Sequence, residues 1–240
     1  AVSPTITEDE LAAKTQDVVA YTDGKKLYKD ADGNCMIDTF DNYRGLITKI
    51  LFCPGNVTAL ADVLFKHCTG LESIAIPDTV TSIGDRTFED CTMLTNVSIP
   101  ENVTSIGINA FRSCHGLTQI KIPDRVTNIG EYAFNDCTAL TQVVIPDKVT
   151  AISYGTFEGC TALAKIKIPN NVTSLGRNAF FDCSSLTGIT LPNSVTTIGE
   201  AAFSGSSLAN VILKGKLSSI NRSAFDEGKN ISITFSVPNG

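Results

Sequence analysis

The chain has 240 residues, 25 acidic against 19 basic side chains for a net charge of −6, and no tryptophan. No run of basic residues occurs, which argues against a nucleic-acid partner. No apolar stretch reaches the ~18–20 residues of a membrane-spanning helix. The sequence opens on Ala1 without a signal peptide, as expected of a processed or trimmed chain.

Residues 1–46 form a segment of their own, without the periodicity that follows. A short capped helix is expected from Ser3 or Thr5 to Ala13. Two turns, Thr22-Asp23-Gly24 and Ala31-Asp32-Gly33-Asn34, separate strand-like pieces such as Val18-Val19-Ala20-Tyr21. Within this segment Asp30, Asp32, Asn34, the Met36 carbonyl, Asp38 and Asp41 have the spacing of an EF-hand calcium loop. Cys35 stands where that loop needs glycine for its sharp turn, and Asp41 is shorter than the bidentate glutamate. The flanks read as strands, so a plain hairpin turn is preferred to a calcium site, and no metal or other cofactor is assigned.

From residue 47 a period takes over. Pro54, Pro77, Pro100, Pro123, Pro146, Pro169 and Pro192 recur every 23 residues, and Phe65 to Phe203 keep the same step. A fixed period of this size means stacked units, none able to bury its apolar face alone. In one unit, residues 71–93, Ile74-Ala75-Ile76 alternates like a half-buried strand. Pro77 lacks the N–H a ladder needs and ends it. The stretch Ile83 to Cys91 spaces its apolar residues for a short helical or 3₁₀ turn, with Phe88 as inward anchor. Gly84, Gly107, Gly130, Gly176 and Gly199 form a column that suggests a tight bend with φ > 0, although Ser153 and Asn221 in that column argue against a strict requirement. Stacking such coils sets equivalent strands side by side in a parallel sheet, at ~4.8 Å per coil. At the C-terminal end the step shortens to 22, from Phe203 to Phe225, and Ile231-Ile233-Phe235 reads as a last strand with an exposed edge.

The unit Leu117 to Cys137, LTQIKIPDRVTNIGEYAFNDC, resembles the BspA-like, or Treponema-type, leucine-rich repeat, and the likeness runs from about Ile47 to Phe235. The resemblance implies a right-handed leucine-rich repeat solenoid, conventionally grouped with α/β folds. It has one short parallel strand per coil plus short helical or 3₁₀ turns. It also implies a bacterial or protist cell-surface or secreted protein, often an adhesin, with no ligand common to the family. The domain division expected is a capping segment at 1–46 and a solenoid of about eight coils at 47–240.

Cys68, Cys91, Cys114, Cys137, Cys160 and Cys183 occupy one column three residues after the phenylalanines. A reduced, buried ladder is expected there, because small apolar side chains suit that place and vectors held in register give a disulfide poor torsion. Cys53 falls in a strand-core column, and Cys35 lies outside the repeats. His67 and His115 are the only histidines, each a sequence neighbour of a ladder cysteine, and neither has a partner for nucleophilic catalysis or zinc. The N-x-Ser/Thr triplets at Asn56, Asn96, Asn102, Asn171, Asn221 and Asn230 read as by-products of a Ser/Thr-rich repeat.

Strand residues between the buried ones face solvent. One such column runs Ser73, Asn96, Gln119, Gln142, Lys165, Gly188, Asn210, and its neighbour Ala75, Ser98, Lys121, Val144, Lys167, Thr190, Ile212. Gln119, Lys121, Gln142, Lys165 and Lys167 gather amides and positive charge on an acidic chain, a place for an acidic protein or glycan to dock. An ordinary solvated face with edge-blunting lysines is the competing reading. The row Asp78, Glu101, Asp124, Asp147, Asn170 and Asn193 is expected to bond local backbone. The function expected is a non-enzymatic scaffold that binds a protein or glycan through its sheet face, with a structural spacer in a larger surface protein as the alternative.

Overall fold

The computed structural model describes residues 17–22, 25–30, 45, 49–52, 57–225 and 231–236. The N-terminal strands are β1 (Asp17–Thr22), β2 (Lys25–Asp30) and β3 (Lys49–Phe52), with β1 antiparallel to both others. The rest is a stack of coils, most of them with two short strands. In chain order these are β4 (Ala59–Leu60), β5 (Ser73–Ala75), β6 (Ser82–Ile83), β7 (Asn96–Ser98), β8 (Ser105–Ile106), β9 (Gln119–Lys121), β10 (Asn128–Ile129) and β11 (Gln142–Val144). They continue with β12 (Ala151–Ile152), β13 (Ser174–Leu175), β14 (Gly188–Leu191), β15 (Thr197–Ile198), β16 (Asn210–Leu213), β17 (Ser219–Ile220) and β18 (Ser232–Phe235).

The strands expected at Ile74 and its equivalents make one face. It is built of parallel ladders β5–β7, β9–β11 and β14–β16–β18, in a register that puts residues 23 or 22 apart side by side. A single bridge from Val144 to Lys167 stands where the next strand of this face would lie. The structure adds a second face of two-residue strands just before the glycine column, paired as β4–β6–β8–β10 and β12–β13–β15–β17. Two residues are too few for alternation to show, so sequence pattern could not resolve them.

The core lies between the faces and is a set of vertical rows. Phe65, Phe88, Phe111, Phe134, Phe157, Phe180, Phe203 and Phe225 stack ring on ring with centroids 5.1–5.6 Å apart. The anchor turn does contain i→i+3 bonds, such as Glu89 N–H to Arg86 O and Cys91 N–H to Phe88 O. Alternate N–H groups instead leave the coil: those of Arg86, Phe88 and Asp90 donate to Ile108, Ala110 and Arg112 of the next. The turn is thus half local and half inter-coil, which keeps it from being a regular helix.

Positive φ is not where the glycine column suggested. It recurs two and six residues later, at Val63, Arg86, Asn109, Tyr132, Gly155, Asn178 and Ala201, and at His67, Asp90, Ser113, Asp136, Gly159, Asp182 and Gly205. The column glycines are required by close approach instead. A Cβ on Gly130 would lie 2.5–2.6 Å from the backbone of Gly107 and Ile108. Where Ser153 replaces glycine, β10 and β12 do not pair, and the serine Oγ donates to Ile129 O at 3.0 Å. In the other coils that bond comes from the backbone, as from Gly130 N–H to Ile106 O.

Candidate functional site

The alternation of the three-residue strands turns one residue inward and two outward, and the outward columns make a continuous polar face. Gln119, Lys121, Gln142, Lys165 and Lys167 are all exposed on it. Gln142 pairs with Gln119 in register, Val144 with Lys121, and Lys167 bridges to Val144.

The five residues divide into two neighbourhoods. Gln119, Lys121 and Gln142 line a shallow polar hollow with Glu101. There Lys121 Nζ bonds Glu101 Oε1 at 2.6 Å, and that hydrogen bond holds the lysine above its ordinary pKa. Its charge is locally cancelled. Glu101 therefore reaches a side chain of the next coil, where the sequence reading expected local backbone. In the same row, the Asp78 and Asp147 carbonyls receive the side-chain amides of Asn102 and Asn171.

Lys165 and Lys167 carry no ion pair among the described residues. They line a second hollow of about 600 Å³, together with Thr190, Asn210, Ile212 and Lys214. Its depth comes from Gly188, the one position of its column without a side chain. Lys214 was missed from sequence, although a signal existed: one 22-residue step after Pro192, it stands in the proline column. Its N–H donates to Leu191 O at 3.0 Å, a bond proline cannot make, and its exposed side chain stands beside the hollow just after β16.

Among the described residues, the cysteines and histidines do not assemble into a reactive centre. The six ladder cysteines are buried as thiols. Each thiol from Cys91 to Cys183 donates to a phenylalanine carbonyl 26 residues earlier, at 3.1–3.2 Å. Burial pushes the thiols of Cys114, Cys137 and Cys160 well up, and that of Cys183 to about 12, so none is a thiolate nucleophile near neutral pH. His67 Nδ1 lies 3.0 Å from Asp90 Oδ2 at the surface, turned away from its neighbour Cys68 in the core. Of the calcium-like loop, Asp30 ends β2. Asp32, Asn34, Asp38 and Asp41 lie outside the described residues, as do Cys35, Cys53 and the helix expected before Ala13.

The family model for the BspA-type leucine-rich repeat region matches six copies, over residues 58–187 and 150–239. Among solved structures, a leucine-rich repeat protein from Bacteroides ovatus is 28% identical, with a TM-score of 0.74 over 91% of this chain. This chain spans only 58% of that protein's length. A leucine-rich repeat protein of T. pallidum is 24% identical (TM-score 0.50, 78% of this chain and 82% of that one). The pneumococcal vaccine antigen PcpA is 14% identical (TM-score 0.54, 76% of this chain and 61% of that one). The last two likenesses are of fold alone. No curated protein sequence matches the chain.

Proposed function

Because the chain belongs to the BspA-type leucine-rich repeat family, we propose that it is a non-enzymatic interaction scaffold of the cell surface or the secreted fraction, adhesin-like, whose sheet face binds a protein or glycan. One observation carries this reading. The inward columns repeat from coil to coil, while the outward columns vary and gather lysines round a hollow at Gly188. Solenoids of this kind use an extended regular surface for recognition, with specificity in its variable positions. Residues 1–46 are assigned as the cap and 47–240 as the solenoid, an assignment supported by the antiparallel hairpin β1–β2 laid against β3.

The test is a binding screen of the purified chain against immobilised host surface and matrix proteins and glycans. A charge-reversed variant, Lys121→Glu with Lys165→Glu and Lys167→Glu, is run in parallel. Binding should fall at least about tenfold in the variant with its thermal transition unchanged, since reversal at Lys165 and Lys167 turns an attraction into a repulsion and Lys121→Glu leaves the Glu101 carboxylate uncancelled. Undiminished binding rejects the face. The alternative, a spacer in a larger surface protein, is supported by the Bacteroides ovatus relative being longer than this chain. It predicts no partner for this segment under any condition.

A further inference from the structure

The turn edge of the coils, remote from the sheet face, carries a second concavity. It is a cleft of about 380 Å³ lined by Asn109, Arg112, Tyr132, Asn135, Asp136 and Glu158. It forms where one coil departs from the repeat. Gly155 stands in the first positive-φ column, where the neighbouring coils have Tyr132 and Asn178. A Cβ there would collide with the Tyr132 ring. Gly159 stands in the second column, where the neighbours have Asp136 and Asp182, and a Cβ there would collide with the Asp136 carboxylate. The two glycines notch this coil, and Tyr132 and Asp136 of the coil before it lie into the notches. The Tyr132 ring rests 4.6 Å from that of Tyr154, over which the Arg177 guanidinium sits at 5.8 Å.

The charges along this edge are uncompensated at the same place. One column reads Lys66, Glu89, Arg112, Asn135, Glu158. Its first three members pair, Lys66 to Glu89 at 2.8 Å and Arg112 to Glu89 at 3.8 Å. Asn135 then interrupts the alternation. Glu158 has no ion pair among the described residues and only the Asn178 amide as donor, at 3.2 Å. Its carboxyl is held above its ordinary pKa by burial, with Asp136 and Asp182 adding to the effect. Asn109, 7% exposed, has an Oδ1 without a hydrogen-bond partner.

The lining therefore offers an aromatic ring, two carboxylate acceptors, two amides and a guanidinium donor. Charges of both signs decide the ligand class: Arg112 opposes a cation, and Asp136 with Glu158 opposes an anion. A neutral molecule with many hydroxyls satisfies both, since each hydroxyl donates to a carboxylate or accepts from the guanidinium. The volume is near the lower bound for ligand pockets, the size of one sugar ring. We propose that this cleft binds a single neutral pyranose residue of a glycan. Tyr132 lies against its C–H face, Asp136 and Glu158 accept hydroxyl protons, and Arg112 donates. This site shares no residue with the sheet face and stands or falls independently of the function proposed there.

The test uses the whole chain and a panel of neutral methyl glycosides of glucose, galactose, mannose and N-acetylglucosamine. Calcium chloride and arginine amide serve as cationic competitors. Saturation-transfer NMR reads binding. Tyrosine emission gives a second readout, because the chain holds five tyrosines and no tryptophan. At least one glycoside should bind and change the tyrosine emission. Glu158→Gln and Asp136→Asn should each weaken it about tenfold or more, the loss expected for a charge-assisted hydrogen bond. Gly155→Ala should weaken it by displacing Tyr132, and Lys148→Gln should leave it unchanged. Circular-dichroism melting confirms that each variant is folded, and Glu158→Gln, which removes no atom from the lining, carries the test if another variant is not. Three results overturn the proposal: no glycoside binds, binding survives both carboxylate changes, or a cation binds more tightly than every glycoside.

Discussion

At the scale of single residues, the backbone sorts glycine into two roles that composition cannot distinguish. Gly84, Gly107 and Gly130 are needed because successive coils touch there, whereas Gly155, Gly159 and Gly205 relieve a left-handed backbone. Val63, at φ +55°, and Tyr132, also +55°, take that conformation with full side chains. Their N–H groups bond Asp85 and Tyr154 of the next coil, which holds the strained geometry in place. Opposite outcomes follow. Gly107→Ala would set a Cβ 2.6 Å from Asp85 N and Gly84 C, and should lower the unfolding free energy by about 1–3 kcal/mol. Ala201→Gly, at φ +50°, should raise it by up to about 1 kcal/mol, the left-handed penalty less glycine's added chain entropy. Urea titration of the two variants measures both. The cysteines set a pH dependence. Cys183 titrates near 12 when folded against an ordinary 9.0, so the folded state retains its proton between those values. Stability from this burial is complete below about pH 9 and declines as pH rises towards 12, with Cys114, Cys137 and Cys160 shifted the same way. Thermal midpoints measured from pH 8 to 11 should fall steadily. A flat profile would mean that the thiols are already exposed.

At the scale of the coil, the stacked ring is the element that joins neighbours. Phe134 lies 5.4 Å from Phe111 on one side and 5.6 Å from Phe157 on the other. Phe134→Ala should destabilise by about 3–5 kcal/mol. Among the described residues Phe225 has a stacked neighbour on one side only, Phe203, and it is partly exposed, so Phe225→Ala should lose less than half as much in the same assay. The ring column and its spacing were readable from the sequence, because burying a large apolar group in every coil leaves an identical mark at each step. The second ladder was not, since its pairing comes from backbone groups that any residue type supplies. The thread of inter-coil threonine bonds, such as Thr104 Oγ1 to Thr81 O at 3.2 Å, gives a reason in hindsight for a Thr-rich repeat.

At the scale of the molecule, the two ends differ. The N-terminal side meets an antiparallel hairpin, while among the described residues the core columns become exposed at β18. Ile233 is 45% and Phe235 68% exposed, although their column neighbours Val211 and Leu213 are 1% and 6% exposed. In a solenoid, stability is a sum over coils and their interfaces, and a coil with one interface opens first. Amide hydrogen exchange should thus be fastest in β17 and β18 and slowest near β8 to β11. Uniform protection across the stack would contradict this. Partner recognition belongs to this scale too. The lysines of the face were legible as a charge pattern, but the salt bridge that removes Lys121 from it and the hollow that adds Lys214 needed three dimensions.

A 23-residue period, with its prolines, phenylalanines and cysteines, was by itself enough to determine that equivalent side chains pile into rows and that one face alternates outward. Periodicity encodes which residues become neighbours because stacking converts sequence distance directly into spatial contact. What the tertiary structure alone decided is what those neighbours do to one another. Cancellation of a charge, a notch that admits the ring of another coil, and glycine demanded by proximity rather than by φ all depend on distances of a few ångströms between coils, which no single repeat contains.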